Sequence, residues 1–461
     1  STIETVTDHV SYDMSKQLGL LTPDYFPARL FINNQNNGLH YFLSKIDESF
    51  LRKNRRMPGS IYSGDTFYVA NPFGADNNGI NNIIIKEEGE SPHMWRDERL
   101  WEKDASRNAE SNTDRSDIKK FIEMINESDP VVFMRDFGRY FDVKKQYLYF
   151  ALDTITGTYH HDNFHNHKIY FDPYKGRFEP IEWDIRFWSN IVPSKDLPIY
   201  PLLRQVKLNP ILEFERDKVA YELMGTFPPQ SVAQNIDNAY SIVLGDIKAD
   251  PFRHAPDNHW TRFSIDKVVP YTMKESRESI NKLKKVFEAR HGLLKNIYAS
   301  AKVDFVTERN ENSLVVKFSV DGNSPVVVDL QSLIPKGSQD DITVLRYFSD
   351  EILDSNNEEI LYPGRKIKNE NVLERVDAWA SLAFGDERIV SSPHHYEFLV
   401  KSSDPLWVPI LGVDKINVKN AITQGKVVAN RVGRLSSDKN TDSVHPWKLG
   451  SITEVPDQLV Q

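Results

Sequence analysis

Apolar residues recur at helical spacing through VTDHVSYDMSKQLGL, residues 6–20, and the pattern stops at Gly19, a residue suited to the left-handed turn that closes a helix. An opening helix is predicted. Residues 26–46, FPARLFINNQNNGLHYFLSKI, hold two β-prone runs around an Asn/Gly-rich turn, which predicts a hairpin with Lys45 at its far end. The turn-rich stretch 71–82 and the densely charged stretch 86–115 read as loops. Helical spacing returns in RSDIKKFIEMIN, 115–126, and in FDVKKQYLYFALDTITG, 141–157, where a glycine again ends the pattern.

After Gly157 the texture becomes polar: His160, His161, Asp162, His165, Asn166 and His167 crowd together. They are followed by the β-like run HKIYF, the turn DPYKGR, the run FEPIEW and then Asp184. The order is helix, polar loop, hairpin, acid. Because the hairpin folds back at residues 173–176, it brings Asn166 and Asp184 to one edge, with Asp162 beside them. Phosphoryl transfer needs such a set: an Asp near the acceptor hydroxyl, an Asn and a second Asp holding magnesium, and a Lys for phosphate charge. Plainer roles compete with this one. Asp162 and Asn166 are residue types that cap loops and form Asx turns, Asp184 reads equally as a solvated acid after an edge strand, and most lysines, Lys45 included, are surface charges. His161 and His165 stand at i and i+4 and could bind zinc if the loop were helical, but Gly157 places the helix end before them.

Three further helix-like stretches run from 209 to 301. From residue 303 short alternating runs such as SLVVKFSV, SPVVVDL and HYEFLV predict a β-sandwich-like appendage. The expected class is α+β, divided into a nucleotide lobe at 1–130, a mainly helical catalytic lobe at 131–302 and the β appendage at 303–461.

Composition narrows the function classes. The 461 residues are 39% hydrophobic and 27% charged, too long for one core and unlike a disordered chain. A formal net charge of -9 gives no basic field for nucleic acid. No apolar run approaches the ~20 residues of a membrane span, and STIETVTDHV lacks the basic and apolar regions of a signal peptide. The chain has no cysteine, which removes thiolate chemistry and fits an exported bacterial protein as well as a cytoplasmic one.

Several of these segments, in order, resemble the CotH kinase family. Residues 17–51, QLGLLTPDYFPARLFINNQNNGLHYFLSKIDESFL, are similar to its LG, GLY-like, E/K-I-D and FL elements; residues 137–157 resemble the helix before its active loop. D-x-x-H-N at 162–166 followed by a tyrosine-bearing strand, and EWD at 182–184, resemble its catalytic and metal motifs. The resemblance implies an atypical protein-kinase-like two-lobe domain that uses ATP and Mg²⁺ to phosphorylate a protein Ser/Thr or another hydroxyl acceptor, in a bacterial extracellular or cell-envelope setting. Asp162 would be the catalytic acid/base, Asn166 and Asp184 would carry the metal, Lys45 or Lys86 would contact phosphate, and His161 and His165 would touch acceptor or phosphate. Ser44 stands where the family often has a glutamate, Arg186 where many members place a second acid, and family members usually have further strands before the segment matched by residues 17–51. Those departures favour the alternative of a pseudokinase or binding scaffold; a zinc-dependent hydrolase is a third reading.

Overall fold

The computed structural model describes residues 2–64, 94–104, 114–127, 130–158, 160–162, 166–185, 188, 195, 200–208, 210–251, 272–310, 313–321, 324, 326–329, 342–349, 360–361, 365–367, 373–376, 394–402, 418–420 and 422–434. The opening periodicity is helix α1 (Thr2–Gln17), which buries Val6, Val10 and Met14. Gly19, with φ of 67°, lets the chain reverse after it. The hairpin follows as β1 (Tyr25–Ile32) and β2 (Gln35–Leu43), antiparallel, turning at Asn33 and Asn34, both at positive φ. Asn36 Nδ2 donates to Ala249 O at 2.9 Å and Leu39 N to Asp250 Oδ2 at 3.2 Å, which fastens the hairpin to the end of a later helix.

A short helix, α2 (Glu48–Lys53), is capped by Asp47, whose carboxylate accepts from the backbone N–H groups of Ser49 and Phe50. Strand β3 (Ser60–Gly64) comes next, then β4 (Trp101–Asp104), helices α3 (Ser116–Ile125), α4 (Pro130–Tyr140) and α5 (Val143–Thr156), and the strands β5 (His167–Asp172) and β6 (Arg177–Ile181). The sheet order is β4-β3-β5-β6. This corrects the loop expected across 86–115, because Trp101–Asp104 pairs with β3 and Trp101 is fully buried. Burial of one indole outweighs the charged neighbours that made the stretch look like a loop. The remainder of that loop expectation, and the turn-rich stretch at 71–82, lie outside the described residues. The sheet draws β3 and β4 from before residue 130 and β5 and β6 from after it, so residue 130 does not separate two sheets.

Helices α6 (Pro201–Leu208), α7 (Pro210–Thr226), α8 (Pro229–Ala249) and α9 (Met273–Ala299) continue the chain. Two compact units result: Ser1–Val206 with Glu215–Lys295, and Lys207–Phe214 with Asn296–Gln461. In the second unit the alternating runs form β7 (Lys302–Asn310), β8 (Ser313–Asp321), β9 (Val326–Asp329), β10 (Ile342–Ser349), β11 (Ile360–Leu361), β12 (Arg365–Ile367), β13 (Leu373–Val376), β14 (His394–Ser402), β15 (Val418–Asn420), β16 (Lys426–Val427) and β17 (Ala429–Arg434). One of its sheets runs β11-β10-β14-β8-β7-β17 with β12 also on β10, and another runs β13-β9-β15-β16. The described chain mixes helix and strand, as an α+β class requires. Among the described residues no helix is long and apolar enough to cross a membrane.

Candidate functional site

Helix α5 delivers the polar loop. Asp142 caps its N-terminus, nine of its fourteen residues are buried, and Gly157 ends it at φ of 65° with its N–H on Asp153 O at 2.8 Å. A buried helix that stops at a left-handed glycine fixes the start of the loop it releases. On the far side, β5 and β6 pair antiparallel with Lys168 opposite Ile181, so the chain ahead of β5 and the chain beyond β6 leave the sheet at the same end. The turn between them is local chemistry: Asp172 Oδ1 accepts from Tyr174 N at 3.0 Å and Lys175 N at 3.2 Å, and Gly176 has φ of 62°. Pro180 is tolerated because β6 is an edge strand.

That common end brings Asn166 and Asp184 onto one residue. His160 accepts a hydrogen bond from Asn166 Nδ2 on its carbonyl at 3.0 Å, and its ring Nδ1–H donates to Asp184 O at 2.9 Å, with Asp184 Oδ2 at 3.3 Å. Asn166 and Asp184 both hold left-handed backbone conformations, with φ of 68° and 56°. Asn and Asp visit this region more readily than other side chains, yet two together mark a loop shaped against local preference. Asp162 is half-buried, and His167 Nε2–H donates to its carbonyl at 2.8 Å. The His167 ring is in turn boxed by Trp95 at 4.8 Å and Tyr200 at 4.4 Å between ring centres.

The WD dipeptide is held from the N-terminal side. Asp184 N donates to Tyr12 Oη at 3.1 Å, Ser11 Oγ donates to Ile185 O at 3.1 Å, and Glu182 N donates to Leu21 O at 2.7 Å. Lys168 lies 4.5 Å from the centre of the Trp183 ring and donates to Ser63 Oγ at 2.6 Å. Burial drives the Tyr12 phenol far above its ordinary range, so it stays neutral beside Asp184.

His161 has a different place from the one its position beside Asp162 suggests. Expected to touch acceptor or phosphate, it is 1% exposed, with Nδ1 at 2.9 and 3.0 Å from the Asp153 carboxylate oxygens and Nε2 at 2.6 Å from Trp183 O. Tyr149 stacks on its ring at 5.0 Å, and a Glu182 oxygen lies 3.8 Å from Nε2. Asp153, one turn before Gly157 in α5, supplies the carboxylate for this imidazole. Burial alone would lower the His161 pKa; the Asp153 charge and hydrogen bond outweigh it, with help from Glu182, and raise it to about 9. Burial pushes Glu182 up to about 8 and raises Asp153 as well. The charge state that leaves least uncompensated charge is a His161 cation against an Asp153 anion, with Glu182 protonated at neutral pH.

On the His161 side the zinc reading finds no ring nitrogen turned toward a metal. Both ring nitrogens are committed to oxygen acceptors, residues 160–162 are not helical, and among the described residues no group of three or more His, Asp or Glu could hold a metal ion. A zinc pair at i and i+4 has meaning only on a helix. His165, Lys86 and Arg186 lie outside the described residues.

Lys45 is 75% exposed, 3.8 Å from Asp104, and lines a cavity of about 510 Å³ with Lys16, Asp24, Asp47 and Lys53. It is not joined to the Asp162 loop by any described contact. Glu182, Tyr12 and Lys168 were not singled out from sequence. Glu182 carried one usable signal, a carboxylate in an otherwise apolar strand exit directly before Trp183 and Asp184.

Hard oxygen donors suit magnesium, and Asn166 is oriented for such a role, because its amide nitrogen is spent on His160 O and the amide oxygen is the end left for a cation. A pair of ligands is a normal protein share for magnesium bound with nucleotide phosphates.

Comparison with known proteins bears on the same region. Residues 4–196 match the family described as CotH kinase protein. The chain is also 26% identical over 178 residues to inner spore coat protein H of Bacillus subtilis (strain 168), a match covering 38% of this chain and 44% of that protein. Over residues 4–196, which include Asp162, Asn166 and Asp184, the chain is therefore matched to the CotH kinase protein family.

Proposed function

We propose that this chain is a Mg²⁺-dependent phosphotransferase that moves the γ-phosphate of ATP to a protein Ser/Thr or another hydroxyl. The observation that supports it most is the junction at His160, two residues before Asp162, which gathers Asn166 and Asp184 at the end of one hairpin. Asn166 and Asp184 would hold the magnesium ion, which when bound neutralises charge on the nucleotide phosphates. Asp162 takes the proton of the acceptor hydroxyl as its oxygen attacks the γ-phosphorus; the bond to the bridging oxygen breaks and ADP leaves with that electron pair. His167 keeps Asp162 in register by donating to its carbonyl, and Tyr12 holds the backbone of Asp184.

A nucleotide-binding scaffold without turnover is the second reading. It is favoured by Lys45, the lysine expected to contact phosphate, which instead lies 3.8 Å from Asp104 and lines a cavity with Lys16, Asp24, Asp47 and Lys53. The likeness to an inner spore coat protein supports work in a bacterial spore coat or envelope.

Purified protein incubated with labelled ATP and Mg²⁺ decides between the two. Asp184→Asn is the better probe than Asp184→Ala, since asparagine tolerates φ near 56° and only the charge is lost. Transfer by the wild type that disappears in Asp184→Asn and Asp162→Ala supports the transferase. Thermal stabilisation by nucleotide with no transfer from any form supports the scaffold.

A further inference from the structure

The Asp153–His161–Trp183 contacts form a bridge whose two ends each lie one residue from a group in the proposed chemistry. His161 precedes Asp162, and Trp183 precedes Asp184. The partners on both sides of the ring are acceptors: a carboxylate at 2.9 Å from Nδ1 and a main-chain carbonyl at 2.6 Å from Nε2. A neutral imidazole has one N–H and one lone pair, so either tautomer would aim a lone pair at an oxygen within hydrogen-bond distance. Only the doubly protonated ring donates on both sides while Asp153 stays ionised. The surroundings fit a fixed cation: Tyr149 stacks on the ring at 5.0 Å with a 24° tilt, and Glu182, fully buried, is 3.8 Å from Nε2. The remaining facing group is the His167 ring at 5.8 Å, itself committed to Asp162 O.

We propose that His161 is a positioning residue, a doubly protonated strut that ties the end of α5 to the exit of β6 and so sets the spacing between Asp162 and Asp184. The proposal rests on the transferase reading for its effect on turnover, but its structural half stands on the ring contacts alone. The raised pKa of His161 agrees with it. The strut acts at a distance from the reacting atoms, since His161 is 1% exposed and meets neither nucleotide nor acceptor directly. Two buried carboxyl groups around one imidazolium also explain why Asp153 is kept at the inner end of α5, where an unpaired acid would be costly.

The test uses the full chain with ¹⁵N-labelled histidine. One histidine is expected to keep both ring nitrogens protonated at pH 8, that signal is absent from His161→Gln, and Asp153→Asn moves the His161 titration to lower pH, because burial is then no longer outweighed, so that the ring is neutral at pH 8. In initial-rate assays both variants lower kcat by about 10- to 100-fold, as loss of a supporting contact does, while KM for ATP changes little because the ATP contacts are untouched. Asp153→Asn is isosteric and carries the test if His161→Gln does not fold. A His161 ring that is neutral at pH 7, or either variant turning over at the wild-type rate, overturns the proposal. Absence of transfer from the wild type overturns the transferase reading and the positioning role with it, while the ring-nitrogen spectrum still decides the charge of His161.

Discussion

Asn166 and Asp184 are joined through one residue, His160, whose carbonyl receives the Asn166 amide at 3.0 Å and whose ring donates to the Asp184 carbonyl at 2.9 Å. The two contacts use different parts of His160. One is made by its main chain and survives any substitution; the other is made by its side chain and does not. The loop and the strand exit can therefore be uncoupled by a single change.

His160→Ala should weaken magnesium use more than it weakens the fold. The side chain is 19% exposed, so its loss costs some packing, and Asp184 is released from Nδ1. We expect the Mg²⁺ concentration for half-maximal transfer to rise by about 10-fold or more, the range seen when a residue supporting a metal ligand is removed. Initial rates measured against Mg²⁺ at saturating ATP check this, and an unchanged magnesium dependence would refute it.

Stability should fall on the alkaline side. His161 has a folded pKa raised to about 9, above its unfolded value, so the folded state holds the extra proton and its contribution is complete below about 6.5 and lost as pH rises through about 9. The contribution is at most about 3 kcal/mol by linkage. Glu182, raised to about 8, pulls in the same direction, because burial favours its protonated form and stability drops as it ionises. Melting temperature recorded from pH 6 to pH 9.5 should decline for the wild type and decline less for His161→Gln. Parallel curves for the two would contradict the charge assigned to His161.

Arg56 and Glu179 form a second buried pair, with Arg56 Nε to Glu179 Oε2 at 2.7 Å and Nη2 to Oε1 at 2.6 Å. The partners are unequally buried: the Arg56 side chain is 22% exposed and that of Glu179 3%. Arg56→Ala leaves a carboxylate in the interior and should cost about 3 kcal/mol, while Glu179→Gln leaves a cation that reaches water and should cost less. Urea unfolding of both variants tests the asymmetry; equal losses would mean that burial of Glu179 does not set the cost.

The features readable in sequence are those that depend on neighbours along the chain. The β5–β6 hairpin follows from DPYKGR because Asp172 satisfies the turn's own N–H groups, and α5 ends at Gly157 because glycine takes the left-handed position. From those two elements the nearness of Asn166 to Asp184 could be argued. The pairing of Asp153 with His161 could not, since it requires the loop to fold back over Tyr149 and bury both groups. The zinc reading of His161 rests on a spacing that means something only on a helix, and both of its ring nitrogens face oxygen acceptors instead. Strand β4 was hidden because its charged positions dominate the local pattern, whereas Trp101 alone decides its burial.

Gly64→Ala should damage both the sheet and the loop above it. A Cβ at Gly64 would lie 2.7 to 2.9 Å from three carbons of the Trp101 ring, closer than carbon atoms pack. Trp101 has little room to withdraw: its Nε1–H donates to Met94 O at 2.6 Å, and Trp95 and Phe121 meet it edge-on at 5.5 and 5.6 Å. The strain must then pass to β3 itself, where Gly64 is paired with His167, the residue that donates to Asp162 O. We expect a loss of about 1–3 kcal/mol in urea unfolding, the usual cost of overpacking a filled core. Gly64→Ser, which adds the same Cβ, should lose at least as much, and kcat should fall in both because His167 shifts under Asp162. If the two variants unfold like the wild type, the Trp101 contact yields more easily than its hydrogen bond and ring packing imply, and β3 does not fix the height of His167.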